Sequence, residues 1–579
     1  MNKLILTVIF FAFLFVACKQ NNPAEEKIKI RGWNILTDHT PTAFKTLKAA
    51  TGYNVNHLQL SHDICHNLKD VKHQWNRNIV NRITTDAHEM GIPEVVVWDH
   101  ALYNLDYYPD RFKVNDTTLI DLDNPKFWEW FKTDYRKMLD KVPEIDGIVL
   151  SFSETGARVE DQYSEVLKSP AEKLAALVDS VASVVVKERN MKLYIRSFMY
   201  DGSEVLALKK CFDLIKTPGI VVMAKETPHD FFVTHPVSKW IKDIPFPVII
   251  EFDCAHEFNG QGIVASIFPE THMERWKYYQ DLPNVIGYSI RTDRYKNTTI
   301  VGTPSEINLF AIAKSTENPD IEIGEVIEGF IAGKFDSAAI NYLKPLFEIA
   351  PEIILSSFYT LGLNTTNHSG LNFDYQSIYT RHVSGCWLDN PEIKIAHGVD
   401  RSFHYWSDVV NHLAPVKYKL PETNNLNGLC EVFENNWLQP EELMDTVYLN
   451  YILTEKQHGV ELAEKAMQII NESKVHCTNS ENFNSIYHTF NRTLMSAKLR
   501  KAYAQVYFSQ RIWNRGDDFQ TEALQEQIMQ GLDEIVTVSE QITAYRRGGA
   551  SGQYDWKNDA TIALDLVDEI NKTNILAEK

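Results

Sequence analysis

The chain has 579 residues, of which 44% are hydrophobic and 23% charged, and it carries a formal net charge of −19. A chain of this length buries a large core and has room for two or three domains. The acidic balance argues against nucleic acid or anionic lipid as partner. It does not exclude an acidic small ligand, because the local charge of a pocket decides that.

The first residues read as a targeting segment rather than as fold. Lys3 precedes an apolar run from Leu4 to Val16, which ends in Ala17-Cys18 and a polar Lys-Gln-Asn-Asn stretch. Such a run is too short to span a bilayer as a stable helix and fits a secretory signal. A small residue before a lone Cys resembles a bacterial lipobox, with Phe15 where Leu is commoner. On that reading residues 1–18 are a lipoprotein signal peptide, Cys18 is lipidated and 19–27 is a tether. The protein is then expected in the periplasm or at the outer membrane, touching the membrane only through its lipid. Ordinary cleavage with free secretion is the alternative. The other cysteines, Cys65, Cys211, Cys254, Cys386, Cys430 and Cys477, are scattered without a CxxC pair, so neither a zinc site nor a disulfide framework is indicated.

Eight strand candidates follow in order: Ile28–Asn34, Asn54–Leu60, Glu94–Asp99, Gly147–Ser153, Lys192–Phe198, Gly219–Lys225, Pro247–Asp253 and Val285–Arg291. Most are short and rich in Val and Ile, as parallel strands buried on both faces are. Helix patterns lie between them. Thr40-Pro41, Asn124-Pro125, Ser169-Pro170 and Thr303-Pro304 open helices with Pro at the first helical position, and Gly52 closes the first. Alternating strands and helices predict parallel pairing. Eight such units in about 290 residues match one closed (β/α)8 barrel, placed at 28–315. From 316 to 579 the strand-like runs thin out. Residues 459–467, Thr493–Trp513 and Thr521–Tyr545 carry apolar residues at helical spacing, which predicts an all-α C-terminal domain. The stretch Thr360–Pro391 holds Gly, Asn, His and aromatics. It reads as a long loop, and a loop of that length is often functional; one place for it is over the barrel mouth.

In this fold the active site gathers at the C-terminal ends of the strands. Glu154 closely follows strand four, Asp230 follows strand six and Glu257 follows strand seven. Cleaving a glycosidic bond needs one carboxylic acid to protonate the leaving oxygen and a second carboxylate to attack or to activate water. Any one of these residues alone reads equally as a solvated loop carboxylate. Arg196, inside strand five, and Lys225, closing strand six, are costly in such strands unless paired. Each is either an ion-pair partner or part of a clamp for a substrate carboxylate. Trp98 and Asp99 at the end of strand three, and His62 after strand two, are candidate sugar contacts. So are the aromatics Trp33, Tyr103, Tyr107 and Tyr108 and the histidines His100, His229 and His256. No metal-ligand motif is visible, and neither a metal nor another cofactor is expected.

At these positions the chain resembles the bacterial α-glucuronidases of glycoside hydrolase family sixty-seven. The resemblance rests on Asn54–Ser61, on Phe152-Ser-Glu-Thr-Gly, on Tyr194-Ile-Arg-Ser-Phe-Met-Tyr, on Val221–Pro236 and on Glu251–Gly262, and spans about residues 45–300. It implies an exo-acting, inverting hydrolase in which Glu154 is the general acid while Asp230 and Glu257 share activation of water. Arg196 and Lys225 then match two of three basic residues that hold the uronic carboxylate. The third is Leu150 here. The first strand also begins almost directly after the tether, where that family carries an N-terminal α/β domain. The implied substrate is an oligosaccharide ending in an α-linked uronic acid, glucuronic-acid-like. Helical C-terminal domains make dimers in that family, which leaves a homodimer open. Two other readings stand beside this one: a barrel glycosidase acting on a neutral sugar, and a catalytically silent glycan-binding surface lipoprotein.

Overall fold

The computed structural model describes residues 27–114, 118–198, 202–227, 230–234, 237–360, 363–373, 375, 445–573 and 575. The signal segment with Cys18, and His229, lie outside them. Eight parallel strands close into a barrel in sequence order: β1 (Ile30–Ile35), β2 (His57–Leu60), β3 (Glu94–His100), β4 (Gly147–Ser151), β5 (Lys192–Arg196), β6 (Ile220–Lys225), β7 (Val248–Asp253) and β8 (Val285–Arg291). The first and last pair with each other, Gly32 opposite Ser289. The helices around the barrel are α1 (Thr40–Ala50), α2 (Gln74–Glu89), α3 (Pro125–Leu139), α4 (Pro170–Ala182), α5 (Gly202–Leu214), α6 (Pro269–Gln280) and α7 (Ile307–Glu317). Prolines start several of them as the sequence suggests, and Ser169 with Glu172 forms a full capping box at α4.

The eight-unit expectation fails at one place. Between β6 and β7 the described chain forms only a 3-10 turn, Lys239–Asp243. The connection carries Pro228, Pro236, Pro245 and Pro247. Proline removes a backbone donor and disfavours helix in the residue before it, so this spacing leaves too little chain for a helix.

Strand alternation sorts the side chains into two cores. Outward residues such as Val95, Val97, Ile148, Leu150 and Ile250 join a large core against the helices. Inward residues Val96, Trp98, Val149, Tyr194, Met223 and Ile249 fill the barrel as a small separate plug. Below the plug, His57 Nδ1 meets Glu94 at 3.0 Å and the Tyr194 hydroxyl donates to the same carboxylate. Above it, two residues on from Tyr194, Met223 and Ile249, stand Arg196, Lys225 and Glu251, with Arg291 of β8 beside them. The apolar plug thus forms a floor and the charged layer faces the mouth.

Six further helices follow among the described residues: α8 (Ile323–Lys334), α9 (Ile340–Phe358), α10 (Thr446–Ser473), α11 (Ser480–Trp513), α12 (Glu522–Ala544) and α13 (Asn558–Ile570). They pack on one another around two cores that also take in Ile263, Val264, Ala265, Ile267 and Phe268 from the loop after β7. Two short antiparallel ribbons, Tyr359–Thr360 with Leu363–Asn364 and Thr366–Asn367 with Gly370–Leu371, follow α9. Among the described residues no helix is long and apolar enough to cross a membrane.

Candidate active site

The charged layer is built around Glu251, buried in the middle of β7. Arg196 Nε reaches its Oε2 at 2.8 Å and Arg196 Nη2 its Oε1 at 3.2 Å. From the other side Arg291 places Nε 3.0 Å and Nη2 2.9 Å from Oε1. Burial alone pushes a carboxyl up, but the two guanidinium groups and the Lys225 ammonium hold Glu251 down at about 2. This carboxylate orients both arginines. The Trp98 ring lies under them, with the Arg196 guanidinium 4.7 Å and that of Arg291 5.9 Å from its centroid.

Glu154 stands on the open side. It sits three residues beyond β4 on a left-handed backbone, φ 60°, a conformation that costs a non-glycine residue free energy and recurs at functional sites. Its side chain is 40% exposed, and Oε2 lies 3.4 Å from Arg196 Nη1. Gly156 makes the turn feasible, since a Cβ there would lie 2.3 Å from Asn104 Oδ1 and 2.4 Å from its backbone nitrogen.

The other two carboxylates are buried and held by cations. Lys225 Nζ lies 2.7 Å from Asp230 Oδ1, and the ammonium faces the rings of Phe198 and Phe231. Burial pushes Lys225 below the ordinary lysine range, against the pull of Asp230. Glu257 lies in a compact loop wound through left-handed residues His256, Gly260, Gln261 and Gly262. A Cβ on Gly260 would meet Val264 Cγ2 at 2.1 Å. Asp253 anchors this loop by accepting the backbone N–H groups of Ala255, His256 and Glu257, and burial pushes its carboxyl up to about 6. Glu257 Oε1 takes contacts from Arg294 Nη2 at 2.8 Å and His368 Nδ1 at 3.1 Å, and Oε2 lies 3.5 Å from Arg291 Nη1. Burial opposes ionisation here too, yet Arg294, His368 and Arg291 hold this carboxyl far below the usual range.

Glu154, Arg196, Glu251, Arg291, Glu257 and Arg294 therefore form one connected run of charges at the barrel mouth, with Lys225 and Asp230 beside it. His62 lies at its edge, against Trp98 and Tyr295, and burial together with Arg291 and Arg294 keeps its imidazole well below its ordinary range, hence neutral. Trp98 is fully buried and supports the arginines from beneath.

Asp99 is placed elsewhere. With Trp98 turned inward, alternation sends Asp99 outward. There it accepts from Tyr135 of α3 at 2.7 Å, from Tyr103 at 2.9 Å and from the Leu68 backbone at 2.9 Å. It joins β3 to the helix layer and does not reach the mouth. Trp33, Tyr103 and Tyr108 are likewise buried in the outer core, and His256 pairs with His272 behind β7. Leu150, where the resembled family has a lysine, also points outward into that core. Sequence reasoning missed Glu251, Arg291, Arg294 and His368. The rule applied to Arg196, that a charge inside a β-branched strand needs a partner, applies equally to Glu251 in Val-Ile-Ile-Glu-Phe-Asp. His368 had no local signal.

No family model matches the chain, and no curated protein is found similar to it. Solved structures that resemble it include glycoside hydrolases. One is a GH138 enzyme targeting pectin rhamnogalacturonan II, at 11% identity and TM-score 0.59, covering 95% of this chain and 84% of that one. Another is a GH115 4-O-methyl-α-glucuronidase with specificity for decorated arabinogalactans (8% identity, TM-score 0.47, 93% of this chain and 61% of that one). A third is the O-GlcNAc hydrolase of Thermobaculum terrenum (9% identity, TM-score 0.45, 95% and 96%). With the GH138 enzyme the fold is shared. Fold alone does not carry function.

Proposed function

We propose that the protein is an exo-acting, inverting glycoside hydrolase that removes an α-linked, glucuronic-acid-like uronic acid from an oligosaccharide. The observation that carries the reading is the presence of one accessible carboxyl, Glu154, with two buried, cation-held carboxylates, Asp230 and Glu257, around one charged layer at the barrel mouth. Glu154, on the open side, is the group that meets the glycosidic oxygen and delivers a proton as the bond to the anomeric carbon breaks. Water adds to that carbon from the opposite side and gives its proton to the Asp230–Glu257 pair. Arg196 and Lys225, with Arg291 and Arg294 beside them, hold the uronic carboxylate. Exchanging part of an internal ion pair for the substrate's carboxylate keeps these cations compensated. The GH138 neighbour, which targets a pectic polysaccharide, adds weight to a carbohydrate substrate. The N-terminal segment adds that the enzyme works outside the cytoplasm, lipid-anchored at Cys18.

One observation favours a second reading, a neutral-sugar glycosidase: Arg196 and Lys225 are already neutralised by Glu251 and Asp230. The test is a panel of α-linked uronic and neutral oligosaccharides with product anomers followed by NMR. Release of the β-anomer of a uronic acid, abolished in Glu154→Gln while binding persists, is the expected result. A neutral product replaces the clamp by the second reading. Binding without turnover across the panel overturns both and leaves a glycan-binding protein.

A further inference from the structure

The helical domain reaches into the site. The ribbon Thr366–Asn367 with Gly370–Leu371 turns through His368 and Ser369, both left-handed at φ 45° and 77°. That turn is fixed from two sides. On the barrel side Ser369 Oγ donates to the Glu257 carbonyl at 2.7 Å and accepts the Gly260 N–H at 2.7 Å, and Gln261 Nε2 donates to the His368 carbonyl at 3.0 Å. On the helical side Arg500 of α11, fully buried, donates to the Ser369 carbonyl at 2.8 Å and pairs with Asp559 of α13 at 3.3 Å, while Asp559 also accepts the Leu371 N–H at 2.7 Å. The tip so held puts His368 Nδ1 3.1 Å from Glu257 Oε1. An ionised carboxylate can only accept, so Nδ1 carries the hydrogen. A left-handed non-glycine pair costs free energy, and here it is locked by both domains.

We propose that His368 is a positioning residue of the hydrolytic site, supplied by the helical domain. With Arg294 it occupies Oε1 of Glu257, so that Oε2, which has the longer 3.5 Å contact to Arg291 Nη1, is presented to the water that is activated. This deepens the proposed function and rests on Glu257 being a water-activating carboxylate. The charged and titratable groups around that carboxylate are Arg291 and Arg294 from β8 and its loop, Tyr295, Asp253 from β7, and His368 from the ribbon. Among the described residues, His368 is the one that comes from the helical domain.

The test compares His368→Ala, His368→Asn and Glu257→Gln in the full chain. The asparagine amide nitrogen lies close to where Nδ1 was and keeps a donor. Two readouts are taken: kcat and KM on the uronic oligosaccharide found in the panel, and the 13C chemical shift of the Glu257 carboxyl at pH 7, assigned by its loss in Glu257→Gln. His368→Ala is expected to lower kcat by about 10- to 100-fold with KM nearly unchanged, the range for a misaligned catalytic group. It should also move the Glu257 carboxyl resonance, and His368→Asn should restore both. A resonance and kcat unmoved in His368→Ala overturn the proposal, as does a loss that asparagine does not restore. If Glu257→Gln keeps full activity, the water-activation reading fails instead. The resonance reads the His368 contact even if no substrate is turned over.

Discussion

Replacing Glu251 by Gln removes the one negative charge that Arg196 and Arg291 share, while keeping its shape. Glu251 is buried and held at about 2, against an ordinary value of 4.5. Each unit of that difference corresponds to about 1.4 kcal/mol, so the ionised carboxylate contributes about 3 kcal/mol to folding at neutral pH. The cost of breaking a buried pair by removing one partner, about 3–5 kcal/mol, points to the same size. The sign follows from the direction of the shift. The folded-state value is depressed, so the contribution is complete above about 4.5 and fades as pH falls from there through about 2. Urea unfolding of the parent and Glu251→Gln, followed by tryptophan fluorescence at pH 7, 5, 4 and 3, measures it. The expected result is a deficit of about 3 kcal/mol at pH 7 and 5 that narrows at pH 4 and again at pH 3. Equal stability at neutral pH, or a deficit that does not change in acid, refutes Glu251 as the ionised centre of the arginine pair.

Two further outcomes are expected. Gly156→Ala drives a Cβ into Asn104, overpacking of the kind that costs about 1–3 kcal/mol. Since the strain falls on the turn that bears Glu154, kcat should drop by a larger factor than stability accounts for, and kcat equal to the parent's refutes that link. Behind β7, His272 is buried and pushed down from 6.5 to about 3 by burial and by Arg275. Its depressed value means that the stability it contributes is complete above 6.5 and is lost as pH falls toward 3. The unfolding free energy of His272→Phe should therefore gain on the parent by about 1.4 kcal/mol per pH unit between pH 6 and 4. A constant difference across that window shows that the imidazole is not held neutral.

The strands were legible because each must be apolar on both faces, which leaves a run of Val and Ile that few other structures require. Their ends were legible to within two or three residues, and with them the positions of Glu154, Asp230 and Glu257. The lack of a helix among the described residues between β6 and β7 was not foreseen, although four prolines fall within that one connection. Asp99 was misplaced for want of one step: it adjoins Trp98, and neighbours in a strand face opposite ways. One of the two had to leave the mouth, and the tryptophan, able to fill the barrel, was the one to keep.

The rest of the site was hidden for a different reason. Arg294 lies beyond the last strand, and His368 meets Glu257 across more than a hundred residues, so neither contact leaves a local pattern. What the sequence did contain was a constraint on charge. The mouth holds Arg196, Lys225, Arg291 and Arg294 against Glu154, Asp230, Glu251 and Glu257. Buried cations demand such compensation, so finding Arg196 and Lys225 in strands already required carboxylates within reach of each. The three carboxylates picked for chemistry include a partner of each, Glu154 beside Arg196 and Asp230 on Lys225, and the third, Glu257, is itself held by arginines. Charge pairing and the proposed catalysis thus draw on the same residues at this mouth. An acidic substrate would then enter a balanced set of charges, and would bind by displacing a protein carboxylate from one of its cations rather than by meeting an empty one.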